Sequence, residues 1–230
     1  EQMRVSGLDA VAGRYGFCVA APHGGLRSGA GHAWSLQEDE PYLLAVIDAL
    51  ADSGYADPRR VYATGLSGGG RMICQVAATH PGRLAPIAPV AGLRAGAPLA
   101  TDRALPDPTT CAPREPVPVI AFHGTADPIN PFDGGGPDYW GYSVPAALAR
   151  WAELNGCRRE PRESRLSEHV TTLTHDACRG GADTVLYVVD GGGHTWPGSR
   201  TALPANLGPT TAEIDASEII CAFFQSRIPD

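Results

Sequence analysis

The chain has 230 residues, 43% of them hydrophobic and 19% charged, with a formal net charge of −7. That length holds one α/β domain with a sizeable core, read here as spanning 1–230, and the composition excludes a disordered chain. The acidic balance argues against nucleic acid and anionic membrane as partners, and no apolar run approaches the roughly 20 residues needed to cross a bilayer.

Taken in order, residues 4–15 read as a helix with Val5, Leu8, Val11 and Ala12 on one face. Phe17–Ala21 is a short, wholly apolar run, as expected of a buried parallel strand. A loop over 26–38 carries Trp34. Pro41 opens a helix with Leu43, Val46, Ile47 and Leu50 at helical spacing. A strand from Val61 runs into Gly65-Leu66-Ser67-Gly68-Gly69 and then a helix through Ala78. Leu84–Val90 is a further strand, 92–116 a loop, and Val117–Phe122 a strand closed by His123-Gly-Thr-Ala-Asp127. A second loop, 128–140, holds Phe132, Tyr139 and Trp140. A helix covers 143–155, and strands cover 170–174 and 184–189. Thr210 and Glu213 have capping-box spacing before a last helix carrying Ile219, Ile220, Phe223 and Phe224. Strands alternating with helices predict a doubly wound, mostly parallel sheet.

Six cysteines favour export. Cys157 and Cys178 lie in loop-like surroundings and are the favoured disulfide, with Cys74 and Cys111 as a second pair. Cys18 and Cys221 sit in apolar patterns and read as buried free thiols. No Cys/His spacing indicates a metal site, and no cofactor is expected.

The chemistry centres on Ser67. Gly-x-Ser-x-Gly between a strand and a helix is the setting of a nucleophile elbow, in which glycines on either side relieve crowding around a strained serine. The N–H of Gly68 then faces a developing oxyanion. Asp127 and His194 also follow strands, and ligand sites in open α/β sheets gather at strand C-terminal ends. A base within reach of Ser67 would take its proton; His194 fills that role, and Asp127 would orient the imidazole. Asp133 and Asp190 are weaker acid candidates, and His123 reads as structural or pocket-lining.

Gly65-Leu-Ser-Gly-Gly-Gly70, His123-Gly-Thr-Ala-Asp127 and Gly191-Gly-Gly-His-Thr-Trp-Pro-Gly198 together resemble the polyhydroxybutyrate depolymerase-like esterases. That group overlaps with the feruloyl and acetylxylan esterases of carbohydrate esterase family one. The resemblance implies an α/β-hydrolase fold, Ser67 as nucleophile, Asp127 as acid, His194 as base, export, and ester hydrolysis without metal or organic cofactor. It also implies that the chain lacks the family's usual N-terminal strands, with the His-Gly motif that supplies a second oxyanion donor. His23-Gly24-Gly25 imitates that motif after a different strand, so its glycines read as the rim of the site.

Trp196, Trp34 and Trp140 are the expected substrate-contacting residues. The expected substrate is a polymeric or small ester, with 3-hydroxybutyrate polyester first and feruloyl or acetylxylan esters as the alternative. A serine peptidase on the same fold, and a non-catalytic polymer- or carbohydrate-binding relic, are the remaining readings.

Overall fold

In the computed structural model, which describes residues 2–28, 31–84 and 86–228, the apolar periodicities become helices laid on both faces of a sheet. The order is α1 (Gln2–Ser6), α2 (Leu8–Arg14), β1 (Leu26–Ser28), β2 (Gly31–Ala33), α3 (Glu40–Asp52), β3 (Ala63–Leu66), α4 (Gly68–Thr79) and β4 (Ile87–Val90). Then follow β5 (Pro98–Leu99), β6 (Asp102–Pro106), β7 (Val119–Gly124), α5 (Val144–Leu154), β8 (Arg162–Arg165), β9 (Val170–His175), β10 (Thr184–Val189) and α6 (Ala216–Gln225).

The main sheet has six strands in the order β3-β4-β7-β10-β9-β8. Its first four strands run parallel, and β9 and β8 are added antiparallel. This is the mostly parallel, doubly wound arrangement of an α/β-hydrolase. Alternation along β7 shows how the layers divide. Val119 and Ala121 join a core with Ile47, Met72, Val76, Leu148 and Trp151 from α3, α4 and α5. Ile120 and Phe122 point the other way, to Val5 of α1 and Ile220 and Phe224 of α6. No helix among the described residues is long and apolar enough to cross a membrane.

Several local expectations are corrected. The helix over 4–15 is two helices, broken where Gly7 takes φ +59°. Phe17–Ala21 is not a strand. Only Phe17 is drawn inward, its ring edge-on to Tyr62 at 5.6 Å, while Cys18 and Val19 face solvent and no strand among the described residues pairs with them. The loops 26–38 and 92–116 each contain a small antiparallel hairpin, β1–β2 and β5–β6. The last helix starts later than the Thr210 spacing implies. Asp215 is its cap and accepts from the Glu218 N–H at 3.1 Å, while Glu213 pairs instead with His169. Cys157 and Cys178 are bonded. Cys74 and Cys111 are free and buried, packed in the core around α4.

Candidate active site

The turn from β3 into α4 places Ser67 at φ 57°, ψ −116°, a left-handed backbone that a non-glycine residue adopts only under constraint. The constraint is visible. The Ser67 N–H donates to Val90 O at 2.8 Å, and Ser67 O accepts from the Arg71 N–H at 3.0 Å as α4 begins. Gly65 is demanded by space, because a Cβ there would lie 2.6 Å from the carbonyl carbon of Gly69. Gly92 is demanded likewise, since its Cβ would meet Ser67 O at 2.3 Å. The N–H groups of Gly68 and Gly69 belong to the first turn of α4, where no intrahelical acceptor exists.

Asp127 and His194 come together beside the C-terminal ends of β7 and β10. His194 Nδ1 lies 2.8 Å from Asp127 Oδ2, with both residues buried. A carboxylate can only accept, so Nδ1 carries the hydrogen and Nε2 keeps its lone pair. The other carboxylate oxygen of Asp127 accepts from the N–H groups of Ile129 and Asn130, each at 2.8 Å. Burial opposes ionisation of Asp127. Hydrogen bonds from His123, His194 and the Asn130 N–H more than offset it, so the carboxyl is held well below the ordinary carboxylate range.

His123 stands behind this pair. Its Nε2 is 2.8 Å from Asn130 O and 3.3 Å from Asp127 Oδ2, and Nδ1 is buried without a partner. Because Asn130 O only accepts, Nε2 is the protonated nitrogen. Asn130 itself is fully buried and donates through its side chain to Ala91 O at 2.7 Å, at the end of β4. It thus ties the acid loop to the strand beside Ser67. The base loop is tied as firmly. Ala126 N–H donates to Gly192 O at 2.9 Å, and His194 N–H to Leu207 O at 2.6 Å. No hydrogen bond joins Ser67 Oγ to His194 in this structure.

The three tryptophans divide. Trp34 is half-buried on the segment after β2, and a Cβ on Gly69 would lie 3.7 Å from its Nε1, so it borders the elbow. Trp140 is 0% exposed: its indole donates to Pro131 O at 2.7 Å and stacks under the Arg94 guanidinium at 3.4 Å. Trp196 is 1% exposed and donates to Ser217 Oγ at 3.0 Å from within the core under α6. Neither has surface to offer a substrate; loop cover, not solvent, surrounds them. In His23-Gly24-Gly25 the Gly25 N–H donates to the Asp39 carboxylate at 3.0 Å and the His23 ring stacks on His32 at 4.7 Å. Asp190 accepts from Thr125 Oγ1 at 3.1 Å on the surface, while His194 Nδ1 pairs with Asp127.

Motif reading missed Asn130 and Arg71. Arg71 is half-buried, with its guanidinium 4.0 Å above the Tyr139 ring and its Nε buried without a partner. No group of His, Cys, Asp and Glu able to hold a metal ion occurs among the described residues.

Residues 9–94 match the prolyl oligopeptidase family. The chain is 30% identical to "Putative esterase NocK" of Nocardia uniformis subsp. tsuyamanensis, over 97% of this chain and 69% of that protein. It is 28% identical to "Feruloyl esterase B" of Piromyces equi, over 74% of this chain but only 32% of that protein. Acetyl xylan esterase from Aspergillus awamori superposes with a TM-score of 0.55 at 16% identity, covering 83% of this chain and 77% of that one.

Proposed function

Since this chain belongs to the α/β-hydrolase esterases and is a carboxylic ester hydrolase, we propose that Ser67, His194 and Asp127 carry the reaction as nucleophile, base and acid. The observations that support this most are the His194 Nδ1 to Asp127 contact at 2.8 Å and the strained backbone of Ser67 at the end of β3. The contact leaves Nε2 as the free basic nitrogen.

In this mechanism His194 Nε2 takes the Ser67 proton as Oγ attacks the ester carbonyl. The imidazolium is balanced by Asp127, which its hydrogen bonds keep ionised. The Gly68 N–H receives the oxyanion. Collapse expels the alcohol, which leaves with the proton from His194, and an acyl group remains on Ser67. Water, deprotonated by the same nitrogen, then releases the acid. Ser67 Oγ and His194 Nε2 must close to hydrogen-bond reach for the first step, as catalytic pairs commonly do when substrate is bound.

We propose a 3-hydroxyacid polyester, such as poly-3-hydroxybutyrate, as substrate, on the strength of the three glycine-rich motifs taken together. The names of two similar proteins favour feruloyl or acetylxylan esters instead. Trp34, which borders Gly69, and Tyr139, which lies against Arg71, are aromatic groups near the elbow that either substrate could contact. The Cys157–Cys178 bond supports export.

One matched assay tests both levels. Methyl ferulate, a 3-hydroxybutyrate oligomer and a peptide amide are offered to the same preparation, with Ser67→Ala alongside. Ser67→Ala is expected to lower ester turnover by about 10⁴ or more. Undiminished turnover in that variant would remove Ser67 from the mechanism. Faster turnover of the oligomer supports the polyester reading, faster turnover of the ferulate the cell-wall one, and comparable cleavage of the amide a peptidase.

A further inference from the structure

Arg71 follows Ser67 by four residues, one turn of α4. Helical side chains lean toward the N-terminus, so its guanidinium folds back over the first turn. A Cβ on Gly68 would lie 3.7 Å from an Arg71 Nη atom, which puts the charge beside the N–H assigned to the oxyanion. On its other side the guanidinium rests on Tyr139 at 4.0 Å. Tyr139 comes from the acid's loop, and its hydroxyl reaches Asn130 Oδ1 at 3.4 Å. The cation therefore spans the gap between nucleophile turn and acid loop.

Among the described residues Arg71 makes no ion pair, and its Nε is buried with no acceptor. Arg94 adds a second positive charge nearby, only 5% exposed, with one Nη also lacking a partner. Arg94 bonds only carbonyl oxygens, those of Leu93, Trp140 and Tyr142. Among the described residues neither guanidinium is ion-paired, which leaves two positive charges without a paired acid in a chain whose net charge is −7. Partly desolvated cations without a counter-ion are costly, and an anion presented by a ligand relieves that cost. The guanidinium carbon lies 4.0 Å from the Tyr139 centroid, and the paired N–H groups of such a planar cation match a carboxylate two bonds at a time.

We propose that Arg71 binds a carboxylate carried by the ester substrate itself, next to the scissile carbonyl. The substrate class is an ester of a hydroxy- or dicarboxylic acid with a free carboxylate end. This rests on the reading of Ser67 as nucleophile. Arg71 sets specificity; the bond-making steps remain with Ser67 and His194.

The test uses two pairs of esters that differ only in charge. In the first, 4-acetoxybenzoate and 4-acetoxybenzamide place the charge on the alcohol side. In the second, the mono-4-nitrophenyl esters of adipate and adipamate place it on the acyl side. The wild-type chain is expected to prefer the anionic member of one pair by about tenfold or more in kcat/KM at low salt, through KM. In 1 M salt, where the Debye length is about 3 Å, the preference shrinks. Arg71→Gln brings the ratio to about one, and Arg71→Lys keeps part of it. A ratio near one in both pairs for the wild type overturns the proposal without any variant, as does a preference that survives Arg71→Gln. Ser67→Ala separates the two levels. If it fails to abolish hydrolysis of the neutral esters, the nucleophile assignment falls. If it abolishes hydrolysis and no charge preference exists, only the carboxylate site falls.

Discussion

Gly65 and Gly69 frame Ser67 symmetrically in sequence but not in space. A methyl group on Gly65 would drive into the Gly69 backbone, whereas one on Gly69 would find its nearest neighbour 3.7 Å away at Trp34. Gly65→Ala is therefore expected to cost about 1–3 kcal/mol and to displace the nucleophile. Gly69→Ala should stay within about 1 kcal/mol, helped by the better helix propensity of alanine. Urea midpoints of the two variants check this, and equal losses would mean that the turn reads both glycines alike. Ser67, Asp127 and His194, the proposed triad, stand out in the sequence because each sits in a glycine-rich motif just past a strand. Asn130 and Arg71 carry no such mark. Asn130 acquires its place only when the acid loop bends back on itself, and an arginine in the first turns of a helix looks like ordinary solvated surface. Trp140 and Trp196 mislead in the opposite direction: aromatic residues in loops near strand ends suggest substrate contact, yet both rings are buried in the core.

At the level of elements, Asn155 shows how a buried polar side chain can stitch strands that never touch it in sequence. It is the C-cap of α5 and is fully buried. Its Oδ1 accepts from the Val117 N–H at 2.8 Å, and its Nδ2 faces Val117 O, Ala182 O and Thr184 Oγ1 at 2.7–3.0 Å. The starts of β7 and β10 are thereby held together below the site. Asn155→Ala strands several buried partners and is expected to lower stability by about 2–4 kcal/mol, seen as a lower denaturant midpoint. A loss under 1 kcal/mol would mean that water satisfies those groups. The central strands were legible because they are continuous apolar runs, wet on neither face. β8, with the sequence Arg-Glu-Ser-Arg, was not, because an edge strand paired on one side through backbone alone needs no apolar residue. The reverse error at Phe17–Ala21 has the same root: an apolar run becomes a strand only when another strand lies beside it.

Across the whole molecule, the sheet order separates the candidate triad into unequal parts. Asp127 and His194 follow β7 and β10, which have a strand on both sides, and their loops are joined by the Ala126 N–H to Gly192 O bond. Ser67 follows β3, which is hydrogen-bonded only to β4 among the described residues. Local opening free energies track how many neighbours a strand must shed. Backbone amides of β3 are thus expected to exchange with deuterium sooner than those of β7 and β10. On gentle warming, labelling of Ser67 by a fluorophosphonate should fade a few degrees before the far-UV signal of the helices. Coincident loss would mean that the edge melts only with the interior. Partial melting of this kind would make heat inactivation reversible over a window in which most of the protein stays folded: the acid and base wait in place, and activity returns when a single strand re-anneals.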